Sequence, residues 1–134
     1  MSSWNSKIID EFRANGGEVG GGFEGKPILL LHNFGARSGR ERVTPLMYKG
    51  LGDDYVVFAS KGGAEHNPDW FYNVKANPEV KVEVGDSLVA ATARVADGEE
   101  RDRIWEGWKR EWPQFADYEA KTSRIIPVIV LETV

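Results

Sequence analysis

Two pairs of short β-patterned runs, each joined by a tight turn, constrain this chain to antiparallel sheet more firmly than any other feature. Val43 to Lys49 and Tyr55 to Ser60 flank GLGDD, whose glycine and aspartate residues suit a hairpin turn. Val80, Val82 and Val84 alternate with Lys81 and Glu83, the period of two of a half-exposed strand, and Gly85-Asp86 turns that strand into Leu88 to Val95. Two further apolar runs, Pro27 to His32 and Ile125 to Leu131, bring the number of strands to about six, with Pro127 favouring an edge or bulge position in the last. Hairpin-linked strands with few helices favour an antiparallel barrel over a parallel α/β sheet.

Three helices are expected around that sheet. Trp4, Ile8 and Phe12 recur every four residues, which predicts an amphipathic helix over 4–14 whose apolar face packs on the core or, alternatively, touches a membrane surface. Asn67 as cap and Pro68 as first residue predict a helix over 68–76, stopped by Asn77-Pro78. Ile104, Trp105, Trp108 and Trp112 share one face of a helix over 98–111, with Glu99 and Glu100 at its favourable amino end. Residues 15–27 hold six glycines, but no strand precedes them and no helix follows, so the segment reads as a linker or lid rather than a dinucleotide loop. A chain of 134 residues fits one domain, 1–134, in which 1–26 form the helix and the glycine-rich connection.

Several classes of function are excluded early. A formal charge of -4 argues against a general binder of nucleic acid, and zero cysteines remove disulfides, thiolate metal sites and thiol catalysis. His32 and His66 are the only histidines and lack partners at ligand spacing, so no metal is expected. No serine sits in a nucleophile elbow. No apolar run approaches the roughly 20 residues of a spanning helix and the first residues lack a signal-peptide core, so the expectation is a cytoplasmic protein, with a peripheral membrane contact as the variant reading.

Against this acidic background, HNFGARSGRERVTP places Arg37, Arg40 and Arg42 within six residues, after an apolar run and among turn residues. A second polar cluster, ASKGG, ends the most hydrophobic strand, where glycines allow close backbone approach and Lys61 adds a point charge. If both strands lie in one sheet, Arg37, Arg40, Arg42 and Lys61 converge on one ligand with several negative charges. The alternative is a set of surface ion pairs with Glu41, Asp53 and Asp54, each worth about 0–1 kcal/mol.

Taken together, GARSGRERVTPL, YVVFASKGGAEHNPDWFYNVKANPEV and KTSRIIPVIVLE resemble the deazaflavin-dependent nitroreductase family over nearly the whole chain. The resemblance implies a split β-barrel that binds coenzyme F420, an 8-hydroxy-5-deazaflavin. By that analogy Arg37, Ser38, Arg40 and Arg42 meet the phosphate and polyglutamate tail, and Thr44, Pro45 and Met47 line the coenzyme channel. Phe58, Ala59, Ser60 and Lys61 border the ring, and Trp70 and Asn73 help close its pocket. Reduced deazaflavin is a hydride donor, so the protein orients and polarises, needing no metal. The acceptor's proton or polarising hydroxyl is expected from Ser60, Tyr118 or Tyr48. Met47 stands where nitroimidazole-reducing members carry an aromatic hydroxyl, which moves the expected acceptor from nitro compounds toward quinones, enones or other conjugated molecules. Two alternatives share the fold: a non-catalytic carrier of coenzyme, flavin, haem or lipid, and a flavin mononucleotide enzyme. A monomer or weak homodimer is expected.

Overall fold

The computed structural model describes residues 3–20 and 25–134, with side chains from residue 6 onward. The Trp4 side chain and Gly21 and Gly22, part of the expectations for the first helix and the connection, lie outside the described residues. The elements run α1 (Ser3–Ala14), β1 (Ile28–Phe34), β2 (Glu41–Leu51), β3 (Asp54–Phe58), a single 3-10 turn (Lys61–Gly63), α2 (Asp69–Ala76), β4 (Glu79–Val84), β5 (Ser87–Val95), α3 (Gly98–Glu111), α4 (Gln114–Ala120) and β6 (Val128–Thr133). All six strands pair antiparallel around a closed barrel in the order β1-β2-β3-β6-β5-β4. This is the split-barrel architecture.

Alternation decides which side chains face inward. Leu29 and Leu31, Val57 and Ala59, Val80 and Val82, Ala91 and Ala93, and Ile129 and Leu131 fill the barrel, and Trp70, Phe71 and Val74 of α2 join them from one end. The outward residues of β3 and β6 (Val56, Phe58, Val128, Val130) are buried under Trp105 and Trp108 of α3 and Phe115 of α4. Ile8, Ile9 and Phe12 cover Ile28 and Leu30 on the outside of β1, so the described apolar face of α1 is used for core packing. Arg13 fixes that helix, donating from Nε and Nη2 to Glu83 at 3.1 and 2.7 Å. The Arg13 hydrogen bond, with a smaller contribution from His32, holds the Glu83 carboxyl below its ordinary range against the opposing effect of burial.

Some local expectations change. Residue 68, not Asn67, caps α2, and the Asn67 amide instead donates to the Tyr72 hydroxyl at 3.4 Å. The segment after Trp112 forms α4, which carries too few apolar repeats to be read from periodicity. Pro127 precedes β6 rather than sitting within an edge strand, and its carbonyl accepts the Ala59 N–H at 3.0 Å. In a closed barrel the edge position it suggested does not exist. Among the described residues no helix is long and apolar enough to cross a membrane.

The two central tryptophans differ in one respect. Trp105 donates its indole N–H to Glu119 at 2.5 Å, whereas the buried Trp108 N–H has no partner among the described residues and its ring stacks on Phe58 with centroids 4.5 Å apart. Replacing each by Phe removes similar volume but only one hydrogen bond to a charged group, worth about 1.5–3 kcal/mol. Urea denaturation is therefore expected to show Trp105→Phe as the more damaging change, by about 1–2 kcal/mol.

Candidate functional site

Because β1 and β3 run in the same direction on either side of β2, their outgoing loops emerge at the same rim of the barrel. The first of these loops is the arginine turn and the second is ASKGG. The chain then passes through α2, whose apolar residues plug that end of the barrel.

The arginine turn is held by its own backbone and by α2. Gly35 donates to the Arg40 carbonyl at 2.9 Å, Gly39 donates to the Gly35 carbonyl at 2.9 Å, and the Ser38 hydroxyl accepts the Arg40 N–H at 3.2 Å. Gly39 has φ +69°, a left-handed conformation that glycine adopts without steric cost. From α2, the Asn73 carbonyl oxygen accepts the Ala36 N–H at 2.9 Å, while its amide donates to Asn33 at 2.8 Å. Asn33 in turn shares its amide N–H groups among the Leu31 and Arg42 carbonyls and the Thr44 hydroxyl. Both asparagines are buried and their side-chain dipoles are fully engaged.

Arg37, Ser38, Arg42 and Asn73 line one open cavity of about 510 Å³ with Asp69 and Tyr72. Among the described residues Arg37, Arg40, Arg42 and Lys61 form no ion pair. Two of the three acids that were the alternative partners are directed elsewhere: Glu41 toward His32 at 3.5 Å, and Asp54 toward the Thr133 N–H at 2.9 Å. Four cations thus stand on the two loops of one rim with no ion pair among the described residues, and the one acid lining the arginine cavity is Asp69.

The second loop has an unusual backbone. Lys61, Gly62 and Gly63 have φ of 47°, 63° and 86°, and Lys61 is the one non-glycine with positive φ among the described residues, a conformation that costs about 1–2 kcal/mol. Gly63 also allows a close approach, because a Cβ there would lie 2.6 Å from the Tyr118 carbonyl oxygen. That contact seats α4, and with it Tyr118, against the turn. Tyr118 itself packs edge-on to Phe115, centroids 5.1 Å apart. Arg124, which sequence reasoning did not single out, donates to the carbonyls of Ala59, Ser60 and Ala64 and to the Asn67 side chain at 2.7–3.0 Å. Burial lowers its pKa, although an arginine remains charged. A lone arginine in TSRII has no periodicity or spacing that would reveal these partners.

The other expected residues divide between the faces of the barrel wall. Thr44 and Tyr48 belong to the inward face of β2, Pro45 and Met47 to the outward face, where Met47 packs between the clusters under α1 and α3. Tyr48 sits edge-on to Tyr55, centroids 5.5 Å apart, and burial raises the pKa of its phenol. Phe58 is buried outward against Trp108, Ala59 inward, and Ser60 is buried where β3 ends. Trp70 is part of the barrel plug. The rim therefore gathers Arg37, Ser38, Arg40, Arg42, Ser60, Lys61 and Asn73, with Tyr118 behind the second loop, and leaves Met47 and Tyr48 within the wall.

Comparison with known proteins gives this arrangement a context. A family model described as F420H(2)-dependent quinone reductase matches residues 4–133. An F420H(2)-dependent quinone reductase of Mycobacterium tuberculosis is 38% identical over 124 residues, covering 90% of this chain and 83% of the relative. A solved F420-H2 dependent reductase, FDR-A, is 44% identical with a TM-score of 0.73, covering 79% of this chain and 94% of its own. A further solved relative, described as a domain-swapped dimer, is 40% identical with a TM-score of 0.75, covering 95% and 93% of the two chains.

Whatever binds at the rim, the Asn73 amide is a structural requirement for the arginine turn. Asn73→Ala strands the Ala36 N–H and one side of Asn33, and is expected to cost about 1–3 kcal/mol in chemical denaturation. Hydrogen exchange should show faster exchange at Ala36.

Proposed function

The chain belongs to the F420H(2)-dependent quinone reductase family, and from that premise we propose that its cationic rim binds the anionic tail of coenzyme F420 while the Ser60–Gly63 loop borders the deazaflavin. The activity is that of an F420-dependent oxidoreductase, and the reaction is hydride transfer to a quinone or a similarly conjugated acceptor. The observation that carries the site assignment is the set of four cations left without carboxylate partners at one end of an acidic protein.

The residues fit such a ligand. Arg37, Arg40 and Arg42 offer forked donors suited to phosphate and carboxylate, with the Ser38 hydroxyl between them. Lys61 supplies a compact charge at the ring end. Phe58 and Ala59 support the loop from the strand below, Thr44 faces inward from β2 while Pro45 and Met47 back that strand from its outer face, and Trp70 and Asn73 fix the helix that closes the pocket. When bound in its reduced form, the coenzyme supplies the hydride. The protein's own contribution is orientation, together with a hydroxyl that donates a hydrogen bond or proton to the acceptor oxygen. The proximity of Ser60 to the loop and of Tyr118 to Gly63 supports these two for that role; Tyr48, inside the wall and kept protonated by burial, is the third candidate.

Fluorescence titration with F420H2 tests the assignment. Lys61→Ala and the double change Arg37→Gln/Arg40→Gln should each weaken binding about tenfold or more, as the loss of one or more charge-assisted hydrogen bonds implies. The arginine change should also flatten the salt dependence. Curves identical to wild type in both variants would remove the site from the rim.

The relative that forms a domain-swapped dimer supports a homodimer here in preference to a monomer. Light scattering across a protein concentration series should give twice the mass of the 15.0 kDa chain. A cytoplasmic location suits the cysteine-free chain, and a peripheral membrane contact through α1 loses support because Ile8, Ile9 and Phe12 are buried on the barrel.

A further inference from the structure

We propose that Arg124 is a positioning residue of the coenzyme site: without touching the ligand, it holds the turn from Ser60 to Ala64 in the one conformation that presents Lys61 at the rim. The proposal rests on the functional reading above and names a residue through which that site is built.

Four acceptors meet the guanidinium from one side of the loop. Nε donates to the Ala64 carbonyl at 2.7 Å, Nη2 to the Ser60 carbonyl at 2.7 Å, and Nη1 to the Ala59 carbonyl at 3.0 Å and the Asn67 side-chain oxygen at 2.8 Å. These acceptors bracket the turn: Ala59 and Ser60 lead into it, Ala64 leaves it, and Asn67 lies just before α2. Among the described residues no carboxylate forms an ion pair with Arg124. Glu65, the residue after Ala64, instead accepts the Ser123 N–H at 3.2 Å and the Ser123 hydroxyl at 2.9 Å, so the 123–124 segment is stitched to the loop from both directions.

The chemistry requires arginine. A planar fork with five N–H donors can satisfy three carbonyls and an amide at once, whereas a lysine ammonium has three donors radiating from one point. The turn needs such a restraint because Lys61, a residue with a Cβ, is left-handed at φ 47°, followed by Gly62 and Gly63 with positive φ. Backbone in a sparsely populated region persists where its surroundings over-determine it. Once the carbonyls are released, Lys61 can relax toward right-handed or extended backbone, which redirects its ammonium from where the turn now presents it at the rim. Asn67 extends the same device: held by Arg124, it donates to the Tyr72 hydroxyl, and Tyr72 lines that cavity.

A double-mutant cycle between Arg124 and Lys61, read as F420H2 affinity, separates positioning from general support. Arg124→Lys and Arg124→Gln should each raise the F420H2 Kd about tenfold, with the quinone KM changed less than twofold. Adding Lys61→Ala to Arg124→Gln should then cost little more, because the lysine has already lost its place. Losses that multiply, or Arg124 variants that lose thermal stability but bind F420H2 as wild type does, overturn the proposal and leave Arg124 as a strut. Should the Arg124 variants not fold, Asn67→Leu removes one of the four acceptors while keeping the guanidinium; its expected loss of about threefold should likewise vanish in the Lys61→Ala background, and a multiplicative loss again overturns the proposal. A wild-type chain that binds no F420H2 overturns the functional reading itself, a result distinct from wild-type binding with multiplicative losses.

Discussion

The placement of α2 over one mouth of the barrel is the constraint on which the rest of the site depends. Trp70, Phe71 and Val74 enter the barrel core with the inward residues of five strands, so the helix has little freedom to slide. One of its polar residues, Asn73, then reaches the arginine turn, and the loop before it is tied to the 123–124 segment. Two loops separated by about twenty residues in sequence are thereby held by one rigid element. Burying the two amides costs little here because each finds a partner; if either lost its partner, the same burial would disfavour the arrangement.

Electrostatics follow from that geometry. The protein is acidic overall, but four cations without an ion pair among the described residues, Arg37, Arg40, Arg42 and Lys61, stand on two loops of one rim, while Arg13, Arg94 and Lys109 are paired with carboxylates elsewhere. A multiply charged anion approaching the molecule meets a repulsive average field and a local attractive one. That combination favours a ligand whose charges are clustered on a tail over one with diffuse charge, and it disfavours long nucleic acids, whose many phosphates would also lie over acidic surface.

Much of the barrel was legible in the sequence because its signals are local. The alternation from Val80 to Val84, the Gly85-Asp86 turn and the Asn77-Pro78 stop each determine structure within a few residues, and the hairpins they predict are present. The arginine turn and ASKGG were legible as chemistry, since charge in a glycine setting stands out from an acidic chain. The missed features depend on distant partners. Arg124 and Asn33 look ordinary in sequence and acquire meaning only when the chain brings residues about sixty and forty positions away against them. The Asn67 cap failed for a related reason: the side chain that would have served the helix locally accepts from Arg124 and donates to Tyr72. β2 shows the limit of assigning adjacent residues one role, since Thr44 and Pro45 are neighbours in sequence and face opposite sides of the wall.

Closure of the barrel has a consequence for how copies of this chain can associate. Every strand already has two hydrogen-bonded neighbours, but the long β2 divides between them, Glu41–Met47 pairing with β1 and Tyr48–Leu51 with β3, so edge for a second chain is confined to short stretches. Assembly by strand addition has little edge to use. A partner copy can lie against an outer face or take the place of an element that is already seated, and in the second case the packing between chains reproduces packing that the monomer makes within itself. Exchange of that kind adds little enthalpy of its own, which leaves protein concentration and the entropy of the connecting segment to set the balance between one copy and two.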